Sequence, residues 1–364
     1  DMGTSSLAFG KASDDTGGPP HPLACRPGVR LARCTEVILR QSPTVLNILL
    51  VTFPFFALVL AGFLAAHRRM LPLEAIPGLN GFVLFFALPC MLYRFGSTTP
   101  ITQLLDASVA GVYLLCALVM VGFAIAMTMN SRIRWNDASM GALVAAFPNT
   151  GFMGVPLLAA LLGPQSAGPV IVLIVVDMVI TSSLCIALSR LDEGEGHGGQ
   201  AMLVAGRKAL RGVVVNPMPW AIILGGVASA LQFKLPGPVE KTVWLLADAA
   251  SPVALFTIGA VLARSQIQSS HPMPTSDYLP VAIMKLLLHP LLVLAVGTAA
   301  IQLGVPLTPF ALTVMVLVSA LPSASNVSLL AERFGADNGR IARIILVTTA
   351  AAFLTFSGAV TLLT

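Results

Sequence analysis

The sequence predicts an all-α membrane protein with ten transmembrane helices, arranged as a 5+5 inverted repeat. Hydrophobic residues make up 56% of the 364 residues and charged residues only 10%, whereas a soluble domain carries about a quarter charged residues. The apolar residues fall into ten runs close to the roughly 20 residues that a helix needs to cross a bilayer. The longest polar connection separates five runs from five. An odd number of spans in each half makes the second half enter from the opposite side, which is the condition for an inverted repeat.

The ten apolar runs are numbered here as spans 1 to 10. Membrane helices tolerate the Gly and Pro residues that interrupt these runs, whereas barrel strands would alternate polar and apolar residues. The spans cover residues 44–66, 75–95, 107–129, 138–162 and 168–189 in the first half, and 213–233, 239–263, 277–303, 308–331 and 341–363 in the second.

The polar segments define the domain organisation. Residues 1–43 are rich in Gly, Pro, Ser and Arg and lack an apolar period, so we expect a disordered tail or a mis-assigned start. Residues 44–190 form the first five-helix repeat and residues 213–364 the second. Residues 191–212 between them are predicted to be a short cytoplasmic loop.

The distribution of Lys and Arg predicts the orientation in the membrane. Twelve of these residues follow odd-numbered spans, whereas only Arg94, Lys234 and Lys241 follow even-numbered spans. Cytoplasmic loops carry the excess of Lys and Arg, so both chain ends are expected outside. The Arg residues before position 44 oppose this assignment, but five loops agree with it.

Spans 4 and 9 each contain a proline followed by small polar residues. Pro148 lacks an N–H and pushes Phe147 away from helical geometry, and Gly151 is expected to permit a turn. Pro322 repeats the device in span 9. An opened helix leaves unpaired backbone groups that cost a few kcal/mol each in lipid, so such breaks are expected to line a protein cavity.

The two breaks predict a binding site for an anion. The second half of each broken helix begins near the middle of the bilayer, where its first N–H groups and its dipole favour negative charge. Ser323 and Ser325 are expected to cap the second half-helix of span 9. A pair of proline kinks packed by hydrogen bonds is the alternative, but matching breaks in the two halves favour a site. The expected substrate-binding residues are Asn149, Thr150, Ser323, Ser325 and Asn326.

The segments FPNTGFMGVPLL at 147–158 and LPSASNVSLLAERFGAD at 321–337 resemble the signatures of the auxin efflux carrier family, within the bile acid/auxin carrier-like superfamily. The resemblance covers residues 44–364, and the second segment is more similar to bacterial members. It implies a fold similar to sodium/proton antiporters in which spans 4 and 9 cross at the substrate. It also implies that Asn149 contacts a carboxylate, and Asn326 matches the bacterial pattern.

The same resemblance implies a scaffold built from spans 1, 2, 6 and 7 and a transport domain built from spans 3–5 and 8–10. It further implies a homodimer in a bacterial inner membrane. The expected activity is elevator-type transport, secondary active or facilitative, of small organic anions such as malate, malonate or auxin-like acids. We expect no enzyme activity, no cofactor, no metal site and no nucleic-acid partner; membrane lipid and the substrate are the expected partners.

Several ionisable residues lie inside or beside the spans. Asp177, near the middle of span 5, is costly in its ionised form, so it either couples transport to protons or sodium or bonds a neighbouring span. Lys285 and His289 share a face of span 8, where they bind a second carboxylate or serve as a snorkelling lysine and a core histidine. Arg94 and Asp106 are expected to form an outer-loop pair.

Other classes of function are less compatible with the residues. A sodium/proton antiporter is the alternative transporter, but it would require carboxylates at the crossing of spans 4 and 9, where the sequence has none. An intramembrane zinc protease requires HExxH-like ligand spacing, which His67, His197, His271 and His289 do not show. A membrane receptor would require a sizeable soluble output domain, which the sequence does not offer.

Overall fold

The computed structural model describes residues 45–100, 106–190, 217–268 and 273–363. The expected tail at 1–43 and the central loop at 191–212 lie outside these residues. The helices are α1 (Val45–His67), α2 (Leu73–Thr98), α3 (Ala107–Thr128), α4a (Trp135–Ala146), α4b (Thr150–Leu162), α5 (Pro164–Ser189), α6 (Pro217–Ala230), α7 (Gly237–Gln268), α8 (Leu279–Gln302), α9a (Pro309–Ser319), α9b (Asn326–Arg333) and α10 (Asn338–Leu363).

The described part of the chain is that of an all-α membrane protein. Seven of these helices are long and apolar enough to cross a membrane, namely α1, α2, α3, α5, α7, α8 and α10. The segments α4b, α6 and α9a are apolar but shorter. The prediction of a helical membrane protein is therefore confirmed, and each predicted apolar run overlaps one helix or one pair of half-helices.

The outer surface carries many large apolar side chains. Phe53, Leu224 and Leu354 are 60%, 59% and 71% exposed. Scattered apolar exposure is normal in soluble proteins, but large exposed patches mark contact with a partner or a membrane. Lipid is the environment that such a surface fits.

Close approach at glycines joins α1 to α7. A Cβ atom added to Gly62 would lie 1.8 Å from the carbonyl oxygen of Phe256, and one added to Gly259 would lie 1.9 Å from the carbonyl oxygen of Val59. Small residues let membrane helices approach closely enough for extensive backbone contact. Any larger residue at these two positions would separate the helices.

The same device joins α2 to α6. Gly96 of α2 and Gly225 of α6 face each other, and a Cβ on Gly225 would lie 2.6 Å from the carbonyl oxygen of Tyr93. Because α7 also packs along α2, the helices α1, α2, α6 and α7 form one packed group.

The remaining helices also pack on one another and are called the second group here; its helix α10 packs on α1 and α7 as well. Helix α3 packs on α4a and α8, α5 packs on α4a, and α10 packs on α8 and α9b. Arg340, at the start of α10, fastens three helix ends: its Nε donates to the carbonyl of Asp277 at 2.7 Å and its Nη1 donates to the carbonyl of Asp137 at 2.8 Å.

Proline accounts for three π-helical turns within these helices. Proline lacks the N–H of a normal helical bond and its ring clashes with the preceding turn, so the turn widens. In each case the amide of the residue just before the proline bonds the carbonyl five residues back. The turns are Val83–Ala87 before Pro89, Thr150–Gly154 before Pro156 and Met284–Leu288 before Pro290.

The predicted pair between Arg94 and Asp106 is wrong. Asp106 is the N-cap of α3, where its carboxylate accepts the backbone amides of Ser108 and Val109, as Asp commonly does at helix starts. Arg94 instead pairs with Asp248 of α7, with a distance of 2.6 Å between Nη1 and Oδ1.

Candidate substrate site at the paired helix breaks

The break between α4a and α4b is caused by Pro148. Helix α4a ends at Ala146, and Phe147 then takes an extended conformation with φ −98° and ψ 101°. This is the geometry that a following proline imposes on its neighbour. The chain resumes winding at Thr150, so the interruption is only three residues long.

The break between α9a and α9b is longer. Helix α9a ends at Ser319 and α9b begins at Asn326. Pro322 lies in the middle of this segment, where it cannot donate a backbone hydrogen bond. Six residues, 320–325, therefore leave the helix in the middle of an otherwise apolar sequence.

The two breaks pair with each other. Pro148 and Ser323 form an antiparallel β-bridge. The amide of Asn149 donates to the carbonyl of Pro322 at 2.8 Å, and the amide of Ala324 donates to the carbonyl of Phe147 at 3.0 Å. Backbone groups released by the broken helices thus find partners across the crossing, which removes much of the cost of opening them.

Gly151 does not take the role that the sequence predicts for it. It lies inside the π-helical turn Thr150–Gly154, and it is not among the described glycines with positive φ. The turn is closed by the amides of Met153 and Gly154, which both bond the carbonyl of Asn149 at 3.1 Å. Proline alone accounts for the break, because its geometry requires no left-handed residue.

The predicted serine caps are also absent from α9b. Ser325 occupies the N-cap position, but its side chain makes no capping hydrogen bond. The Oγ of Ser323 and the Oδ1 of Asn326 are buried without a hydrogen-bond partner among the described residues. A buried polar atom left unpaired costs about 1–3 kcal/mol, so these groups are free to meet a ligand.

Asn149 and Thr150 are deeply placed at the break. The Asn149 residue is 4% exposed and Thr150 is fully buried. Both backbone groups of Asn149 are engaged, which leaves its side-chain amide for a ligand. The hydroxyl of Thr150 donates to the carbonyl of Pro148 at 3.3 Å, so Thr150 supports the break itself.

A cavity of about 270 Å³ adjoins the break of α9. Its volume lies below the range of about 300–1,000 Å³ typical of pockets for drug-sized ligands, so it suits a small molecule. The walls come from α2, α4b, α7 and α9b. The polar lining residues are Asn80, Thr257, Arg264, Ser325, Asn326 and Glu332.

Two of the predicted site residues, Ser325 and Asn326, line this cavity. Asn149, Thr150 and Ser323 do not line it and are buried at the paired breaks. Sequence reasoning missed Asn80 and Arg264. Their signal is helical spacing: Thr257, Val261 and Arg264 recur at the intervals of one face of α7. A search along the faces of spans 2 and 7 would have found them.

Arg264 brings a positive charge to the cavity. Neither Arg264 nor Glu332, which also lines it, forms an ion pair with another described residue. A guanidinium is well suited to a carboxylate, because its N–H groups match both carboxylate oxygens.

The buried ionisable residues do not line the cavity. Asp177 accepts a hydrogen bond from Tyr113 at 2.9 Å between Oη and Oδ2. Lys285 does not snorkel: it is fully buried and its Nζ lies 3.0 Å from the Nδ1 of His289. The interpretation of these two residues as a second carboxylate site is therefore not supported, since they bond each other and the protein backbone.

A family model described as membrane transport protein matches residues 48–360. This chain belongs to that membrane transport family. A protein of Rhizobium meliloti (strain 1021) named "Putative malonate transporter" is 30% identical over 310 residues, which cover 84% of this chain and 92% of that protein. The family match at residues 48–360 includes both helix breaks.

Two further proteins are similar to this chain. The "Uncharacterized transporter YfdV" of Escherichia coli (strain K12) is 27% identical over 285 residues, covering 77% of this chain and 86% of that protein. "Auxin efflux carrier component 8" of Arabidopsis thaliana is 22% identical over 261 residues, covering 58% of this chain and 71% of that protein. The resemblance to auxin efflux carriers is confirmed.

Proposed function

We propose that this membrane transporter carries small carboxylates, of the malonate and malate class, across a bacterial inner membrane. The observation that carries the proposal is the cavity beside two paired helix breaks, with Asn326 and Arg264 in its wall. The similarity to a protein named as a malonate transporter supports the same substrate class.

The break of α9 supplies one half of the anion site. Helix α9b begins at Asn326, so the partial positive charge at its N-terminus points to the cavity. The amide of Asn326 can turn to present its N–H groups, because the positions of amide nitrogen and oxygen are interchangeable by rotation. Asn149, which does not line the cavity, would contact the carboxylate when the substrate moves into the break.

Arg264 supplies the other half. It lies on α7, which belongs to a different packed group of helices from α9b. A dicarboxylate would place one carboxylate at the break and the other at this guanidinium. A monocarboxylate would leave Arg264 only the Glu332 carboxylate in the wall of the same cavity. A dicarboxylate would bring a second carboxylate of its own to the guanidinium, so we infer a preference for dicarboxylates.

We further propose that the ten helices are two inverted repeats. Gly62 and Gly225 are separated by 163 residues, as are Gly96 and Gly259. These glycines form the two matching contacts of α1 with α7 and of α6 with α2. A repeat with an interval of 163 residues accounts for both contacts. The prolines of spans 2 and 7, Pro89 and Pro252, are separated by the same interval.

The proposed mechanism is an elevator. The cavity lies between the group α1, α2, α6 and α7, which would be the scaffold, and the group containing both breaks, which would carry the substrate. A displacement of the second group along the first would expose the cavity to either side. In this proposal both chain ends lie outside, and two copies associate through their scaffolds.

Uptake by proteoliposomes tests the proposal. Purified protein should take up labelled malonate, and unlabelled malate should compete more strongly than acetate. Sodium flux should not depend on the protein. Protein-dependent sodium–proton exchange with no movement of any carboxylate would overturn the proposal in favour of an antiporter.

A further inference from the structure

A cluster of ionisable side chains is buried among α3, α5 and α8, apart from the cavity. Its members are Asp177, Tyr113, Lys285 and His289, and each has no exposed surface. Burial of a charged group in a membrane protein is costly and marks functional positions. The function proposed above uses none of these four residues.

Asp177 is held by hydroxyl donors at both carboxylate oxygens. Tyr113 of α3 donates to Oδ2 at 2.9 Å, and the hydroxyl of Thr181 lies 3.3 Å from Oδ1. Lys285 attracts Asp177 electrostatically, but the two groups form no contact within 4.0 Å. The carboxylate is therefore balanced by a nearby positive charge without being locked in a direct ion pair.

Lys285 connects this cluster to the end of α9a, where the break begins. Its Nζ donates to the carbonyl of Ser319 at 2.9 Å and lies 3.0 Å from the Nδ1 of His289. Ser319 is the last residue of α9a, so the ammonium sits at the negative end of that half-helix. The Lys285 ammonium, which attracts Asp177, thus also binds the end of α9a, directly before the break.

Asp177 and Lys285 both lie in π-helical turns, Val176–Thr181 and Met284–Leu288. The second turn is explained by Pro290. The first has no proline after it; instead the hydroxyl of Ser182 donates to the carbonyl of Asp177 at 2.8 Å. Single π-turns inside helices are frequent at functional sites.

We propose that this cluster is a proton-binding site that couples carboxylate transport to proton movement. A proton taken from water converts the Asp177 carboxylate to a carboxylic acid, and the Tyr113 hydroxyl turns from donor to acceptor. Lys285 keeps its ammonium charge. No other bond forms or breaks, and the proton returns to water when Asp177 ionises on the other side.

The coupling to substrate is electrostatic, and it rests on the proposed carboxylate transport. With Asp177 ionised, the charges of Asp177 and Lys285 balance. With Asp177 protonated, Lys285 is left as an uncompensated positive charge beside the helix break. A bound anion compensates that charge, so substrate and proton each favour the binding of the other.

A proton fits this site better than a sodium ion. Sodium requires several oxygen ligands facing one point, whereas both oxygens of Asp177 face hydroxyl donors and a nearby ammonium already supplies the positive charge. The neighbouring helices bring few other titratable groups. These are Cys116 on α3, Cys185 on α5, Asp137 at the start of α4a, and Arg340 and Arg343 near the start of α10. Helix α9a has no titratable residue between Pro309 and Ser319.

Infrared difference spectroscopy without substrate tests proton binding directly. As the pH is lowered, the wild-type protein should gain a carboxylic-acid band from a buried group. Asp177→Asn should lose this band, whereas Asp248→Asn, which removes the carboxylate paired with Arg94 on α7, should retain it. Persistence of the band in Asp177→Asn would overturn the proposal, whether or not the protein transports malonate.

Transport assays test the coupling. Asp177→Asn should lose the stimulation of malonate uptake by an inward proton gradient, while malonate exchange at equal pH continues. If Asp177→Asn folds poorly, the double variant Asp177→Asn with Lys285→Gln replaces it, because it removes both opposite charges from the cluster. It should likewise lose the stimulation by the proton gradient and keep the exchange. Wild-type exchange that ignores the proton gradient would overturn the coupling but leave carboxylate transport standing. Absence of carboxylate exchange in wild type would overturn the proposed function and, with it, the coupling.

Discussion

The backbone amide of Asn149 donates a 2.8 Å hydrogen bond to the carbonyl of Pro322, 173 residues further along the chain. This bond joins the two helix breaks at the point where each has lost its own helical partners. A break in one helix is therefore stabilised by the break in the other. The pairing also fixes the positions of the side chains that follow each proline.

Removal of the side-chain amide of Asn149 should impair substrate binding. Hydrogen bonds to a charged group contribute about 1.5–3 kcal/mol, so Asn149→Ala should weaken malonate binding by about tenfold or more. Calorimetric titration of the purified protein measures this change. Thr298→Ala, which removes an exposed hydroxyl of α8, is the control and should bind normally. Unchanged affinity in Asn149→Ala would remove Asn149 from the site.

The charge of Arg264 should set the preference for dicarboxylates. Arg264→Gln should weaken the binding of malonate far more than that of acetate, because only malonate has a second carboxylate for the guanidinium. Competition against labelled malonate measures the ratio of the two affinities. Lys241→Gln, which removes an exposed positive charge near the start of α7, should leave the ratio unchanged. An equal loss for both acids would contradict this role.

The close contact of α1 and α7 should tolerate no side chain at Gly259. Gly259→Val places a branched side chain against the backbone of Val59, and overpacking typically costs about 1–3 kcal/mol. We expect a lower midpoint of thermal unfolding in detergent. Gly122→Ala is the matched control, because a Cβ there meets no atom within 4 Å. An unchanged midpoint for Gly259→Val would show that the helices can separate without cost.

Arg340 should stabilise the second group of helices. Arg340→Met removes the donors of one buried and one part-buried carbonyl group, and a buried acceptor left unpaired costs about 1–3 kcal/mol. Arg132→Met removes a 3.2 Å pair with Asp277 in which the arginine side chain is 59% exposed, and it should cost only about 0–1 kcal/mol. Thermal unfolding of both variants compares these costs; equal effects would contradict the account of Arg340.

The sequence was sufficient for features that one residue imposes on its neighbours. Pro148 and Pro322 announce the breaks, because a missing N–H and a restricted preceding residue act locally. The apolar runs likewise predict the helices, because a helix that crosses the bilayer needs about 20 apolar residues in sequence. The prediction for Gly151 was wrong because glycine permits a turn without requiring one.

Long-range pairing was beyond the sequence. Arg94 has an acidic residue nearby in Asp106, yet it pairs with Asp248, which is 154 residues away. Likewise nothing local places Lys285 near Asp177, since the distance between them depends on how α5 and α8 both pack on α3. Arg264 was overlooked because the sequence does not show which face of α7 lines the cavity.

An experimental structure with bound malonate tests the central claim most directly. We expect one carboxylate within hydrogen-bonding distance, about 2.7–3.2 Å, of the Asn326 side chain at the break, and the other directed toward Arg264. Malonate bound away from the paired breaks, with the cavity beside Asn326 still empty at saturating concentration, would contradict the account.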